Sequence, residues 1–74
     1  MNNDATIIKG YDQLEKVMEG MEGTDKGLWL TCPDKQRYLY LTFDRVPVIN
    51  AGLCKHEFTS VSETINYVLE FLYN

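Results

Sequence analysis

The stretch Gly27-Leu28-Trp29-Leu30-Thr31-Cys32-Pro33-Asp34-Lys35-Gln36-Arg37-Tyr38-Leu39-Tyr40-Leu41-Thr42-Phe43 decides the fold. Two alternating runs flank a polar break from Pro33 to Arg37. Strand side chains alternate with a period of two, and Pro and Asp favour turns, so the stretch predicts a β-hairpin. Leu28, Leu30, Leu39, Leu41 and Phe43 then share one face. Trp29, Thr31, Tyr38, Tyr40 and Thr42 share the other, which is aromatic and amphipathic.

On the N-terminal side, Asn2 to Asp4 predicts a frayed start, and the β-branched run Ala5-Thr6-Ile7-Ile8-Lys9 predicts a short edge strand. Gly10 breaks it. From Tyr11 the apolar period becomes helical, with Leu14, Val17, Met18 and Met21 at i, i+3, i+4, i+7. Asp12 and Glu15 resemble an acidic N-terminal box, which suits the helix dipole. Gly20 and Gly23 are the expected stop, and residues 23–27 a loop into the hairpin.

On the C-terminal side, Asp44-Arg45 reads as a turn and Val46-Pro47-Val48-Ile49 as extended chain. Pro47 cannot donate to a ladder, which argues for an edge or a bulge. Asn50-Ala51-Gly52 allows a bulge or a tight turn. The favoured expectation is one interrupted strand ending at Phe58. Ser60-Val61-Ser62-Glu63 has the spacing of a capping box, which predicts a helix from Val61 to about Leu72. Val61, Ile65, Val68, Leu69 and Leu72 form its apolar stripe, widened by Tyr67 and Phe71.

The expected architecture is a single α+β domain over residues 1–74. It has an antiparallel sheet of three to four strands with two helices on one face, in the order (β)αβββα. Helix, three strands, helix resembles the order of double-stranded RNA-binding domains. The resemblance is of order alone, because the closing helix begins Val61-Ser62-Glu63-Thr64 where that family carries a lysine cluster.

The 74 residues carry a net charge of −4. Asp4, Asp12, Glu15, Glu19, Glu22 and Asp25 face only Lys9 and Lys16 in the first 25 residues, and the rest of the chain is balanced. Binding to a phosphate backbone requires clustered Lys and Arg, so direct nucleic-acid binding is not expected and a basic protein partner is. No apolar run reaches the roughly 20 residues of a membrane span, and the start is not that of a signal peptide. A cytoplasmic protein with no membrane association is therefore expected. Cys32 and Cys54 are too few for a disulfide scaffold and fit a reducing compartment.

Two surfaces stand out as partner-binding candidates. Asp12, Glu15, Glu19 and Glu22 fall on one helical stripe, an acidic ridge suited to a basic partner. Trp29, Tyr38 and Tyr40 form an aromatic anchor, or a surface for self-association into a homodimer. By analogy of size and charge, the expected function is non-catalytic. It is that of an inhibitor that occludes a basic nucleic-acid-handling enzyme or effector, in the manner of phage or mobile-element anti-defence and anti-CRISPR proteins. No catalytic residue, cofactor or metal is expected. The alternative is a metal- or thiol-dependent accessory or enzyme subunit using Cys32, Cys54 and His56, a three-ligand zinc set without an evident fourth ligand.

Overall fold

The structure, a computed structural model, describes residues 5–24, 26–51 and 54–74. The expected frayed start, Asp25 in the first loop and the Gly52 break lie outside the described residues. The elements are β1 (Thr6–Ile7), α1 (Tyr11–Met21), β2 (Leu28–Thr31), β3 (Tyr38–Asp44), β4 (Val46–Ala51), β5 (Cys54–Glu57) and α2 (Val61–Tyr73). The fold is α+β, with one five-stranded sheet in the order β1-β2-β3-β4-β5. β1 runs parallel to β2 through the α1 crossover, and the remaining neighbours are antiparallel.

The hairpin forms with its leucines on one face as expected, and its register sets Leu28 opposite Leu41 and Trp29 opposite Tyr40. Its leucine face carries the core. Leu30, Leu39, Leu41 and Ile49 pack with Ile8, with Leu14, Met18 and Met21 of α1, and with Ile65, Val68 and Leu72 of α2. Both helices therefore cover one sheet face. Leu69 sits at the rim of this core, partly buried, and Thr64 is fully buried in its stead.

The region after Phe43 differs from expectation. Residues 46–58 form two strands, with Ala51 opposite Cys54 and Ile49 opposite His56, so the sheet gains a fifth strand and loses the helix-three strands-helix order. β4 is consequently an interior strand. Val48 and Ile49, on its opposite faces, are both buried. Pro47 is accommodated without an edge or a bulge. Its carbonyl accepts from the Phe58 N–H at 2.9 Å. Within a strand, a residue's N–H and C=O point to the same side. The donor that Pro47 lacks would thus have faced β5 just past its end, and the ladder to β3 is untouched. Arg45, at φ 71°, is the single residue between β3 and β4.

Helix termini also depart from the simple motifs. Gly10 caps α1 with no side-chain bond, and the Asp12 and Glu15 box does not form. Instead the Gln13 amide acts as a stub of strand: its Oε1 accepts from the Lys9 N–H at 2.6 Å and its Nε2 donates to the Ile7 carbonyl at 2.7 Å. Gly20 lies inside α1, and Gly23, at φ 84°, makes the reversal after it. On α2 the Ser60 Oγ accepts from the Glu63 N–H at 3.2 Å as the capping box requires. The Glu63 carboxylate turns instead to the Thr59 hydroxyl, at 2.8 Å.

Candidate binding surfaces

At 3.6 residues per turn, Asp12, Glu15 and Glu19 fall within an arc of about 60° on α1, and Glu22 follows as its C-cap residue. Asp12, Glu19 and Glu22 are exposed and Glu15 is half-buried. Gln13, which bonds β1, projects from the other flank, so the acidic stripe faces away from that edge. Lys16 is the only base on the helix, and the last turn has none. Past the end of α1, Glu22, Gly23 and Thr24 line an open cleft of about 270 Å³ against Phe43, Asp44 and Arg45. The cleft carries charges of both signs, Glu22 beyond α1 and Asp44 with Arg45 at the β3–β4 turn. Sequence spacing along α1 gave no sign of this cleft, since a sheet turn supplies its far side.

The sheet face away from the helices holds the aromatics. Trp29, Tyr40, Asn50 and Lys55 make one row across β2 to β5, and Thr42, Val48 and Glu57 make the next. Trp29 is 48% exposed and Tyr38 47%. Tyr40 is half-buried, its ring centroid 4.9 Å from that of Trp29 at a 51° tilt. That geometry falls within the favoured range for aromatic pairs. The acidic stripe and the aromatic face are therefore on opposite layers of a body measuring 30 × 28 × 26 Å. Screening over ~8 Å at physiological salt separates them electrostatically.

Cys32, Cys54 and His56 do not converge. Cys32 follows β2, whereas Cys54 and His56 lie on β5, three strands away, or about 14 Å at ordinary strand spacing. The buried Cys32 thiol donates to the Asp34 carboxylate. The same oxygen accepts from the Gln36 N–H at 3.0 Å. These two bonds, the thiol's first, hold the Asp34 carboxyl below its ordinary 3.8, with a further contribution from the Arg37 charge. His56 packs against Tyr67 of α2, centroids 5.3 Å apart, and Tyr67 in turn against Phe58 at 5.2 Å. Among the described residues, no group of three or more His, Cys, Asp or Glu is placed to hold a metal ion.

The fold and these surfaces define a small α+β domain with two separate, chemically distinct faces. Compared with known protein families, curated proteins and solved structures, the chain matches none. No helix among the described residues is long and apolar enough to cross a membrane.

Proposed function

We propose that this is a non-catalytic binding domain that docks a basic protein surface on the acidic flank of α1. One observation carries the reading: the C-terminal part of the stripe is arranged against the helix that bears it. Glu15 and Glu19 are like charges at i, i+4, and Glu19 and Glu22 sit at the negative end of the helix dipole with no base in the last turn. Lys16 is the one base near the stripe, and local rules broken over the last turn beyond it are what a binding surface accounts for. By analogy of size and charge, the partner is a basic nucleic-acid-handling enzyme or effector that the domain occludes. The aromatic face is a second contact surface, independent of the first because it lies on the other layer.

The test is kinetic. With a basic partner immobilised, association of the wild-type chain should slow as salt rises. The pair Glu15→Lys and Glu19→Lys should slow it roughly tenfold or more and flatten the salt dependence. Association indifferent to both changes would mean that the flank is an ordinary solvated helix surface.

A further inference from the structure

We infer that a second copy of this chain docks edge to edge along β5, continuing the five-stranded sheets into one ten-stranded sheet about a two-fold axis at His56. β5 pairs with β4 on one side and with no other described strand on the other, and all four of its residues are exposed. The phase of its free edge follows from one bond. The Phe58 N–H donates to the Pro47 carbonyl, so the backbone groups of Phe58 face β4. Direction alternates along a strand, so those of His56 and Cys54 also face inward. The N–H and C=O groups of Lys55 and Glu57 therefore point outward, two donors and two acceptors with no partner among the described residues.

An antiparallel copy can satisfy all four only in a register that sets outward residues opposite one another. Centring the axis on Lys55 would oppose two lysines, and centring it on Glu57 would oppose two glutamates. Centring it on His56 sets Lys55 of each copy opposite Glu57 of the other, twice, on the open sheet face. Cross-strand pairs of opposite charge stabilise a sheet and like pairs destabilise it, so charge selects this register. A lysine on an exposed edge ordinarily discourages pairing. Here it discourages every register in phase except the one that Glu57 answers. The contact is isologous and uses up the edge in both copies, so it closes at the dimer. It shares no residue with the α1 flank, and either proposal can fail without the other.

Analytical ultracentrifugation of the full chain over a concentration series tests the inference, with amide hydrogen exchange as a second readout. The wild type should show a monomer–dimer equilibrium, with Lys55 and Glu57 amides gaining protection as the dimer fills. Lys55→Glu and Glu57→Lys should each weaken dimerisation about tenfold or more, and the two together should restore it, since the swap recreates both pairs. Both side chains are exposed, and unchanged circular dichroism would verify folding. A wild type that stays monomeric at every concentration would overturn the inference. So would a dimer that ignores the single reversals, or one that the double swap fails to restore.

Discussion

Arg37 caps the far end of α2: its Nη1 donates to the Phe71 carbonyl at 2.7 Å, and its guanidinium lies over the ring of the same residue, 5.9 Å from the centroid. The last carbonyls of a helix lack intrahelical partners and carry partial negative charge. α2 has no base in its own last turn, so a residue of the β2–β3 connection, 34 positions earlier, supplies one. Arg37→Ala should lower stability by about 1 kcal/mol in urea melts, a modest figure because the contact is exposed. Arg37→Lys should recover part of it, keeping the charge and losing the planar stack. An unchanged midpoint in Arg37→Ala would show the contact to be idle.

The aromatic face is held from beneath. A Cβ built on Gly27 would overlap the phenol of Tyr40, so that ring lies directly on the glycine backbone while stacking with Trp29. Gly27→Ala should displace Tyr40 and change the environment of the single tryptophan. The measurement is a shift in Trp29 emission with the fold otherwise retained by circular dichroism. Identical emission would mean that Tyr40 can yield without disturbing Trp29.

Truncations in α2 should sort by depth. Ile65 is fully buried and Leu72 nearly so, whereas Leu69 is at the rim. Ile65→Ala should cost about 2–5 kcal/mol, Leu69→Ala less, and Ser60→Ala about 1 kcal/mol through loss of the cap. Denaturant melts in which Leu69→Ala is as damaging as Ile65→Ala would place the helix differently on the sheet.

What could be read from the chain was whatever a single element determines by itself. The faces of the hairpin's leucines and aromatics and the approximate span of both helices follow from periodicity and, for α2, from the Ser60 cap, which are local. What escaped was set between elements. Pro47 argued for an edge strand, yet the donor it lacks faces a neighbour that has already ended, which depends on where β5 stops. Arg37 looked like a turn residue because its acceptor is on a helix 34 residues away. The acidic ridge and the aromatic face were each legible, but their placement on opposite layers follows from which sheet face the helices cover. Cys32, Cys54 and His56 could be joined on paper only while the strand order was unknown.

Acid should act on the β2–β3 connection through Asp34. Its carboxyl titrates below the ordinary 3.8, held there chiefly by the Cys32 thiol. Between that lowered value and the ordinary one the unfolded chain binds more protons, so stability rises with pH across this window. The contribution is fully present above the ordinary value and is lost as pH falls through the lowered one. Asp34→Asn should therefore flatten the acid limb of a stability–pH profile by lowering the neutral plateau toward the acid value, and only slightly, since the site is exposed. Melts of both proteins that run parallel below about pH 4 would show that the carboxylate is not linked to folding.

The acidic flank of α1 yields a prediction that needs no partner for its first half. Glu22 stands at the negative end of the helix dipole, where a cation would be favoured by about 0.3–1 kcal/mol, and Glu15 repels Glu19 by a few tenths. Glu22→Lys should thus raise the midpoint of urea unfolding, and Glu19→Lys should do the same by a smaller amount, since relief of both effects is partly offset by the lost i, i+3 attraction to Lys16. Most substitutions destabilise, so a gain at two positions of one stripe is a specific expectation. If the stripe exists to meet a basic surface, the same two variants should associate more slowly with that surface while being the more stable proteins. Stability and binding would then move in opposite directions along one helix face, as expected where a functional surface is retained against local stability. Variants that gain stability and bind as the wild type does would show that the frustration on α1 has no part in recognition.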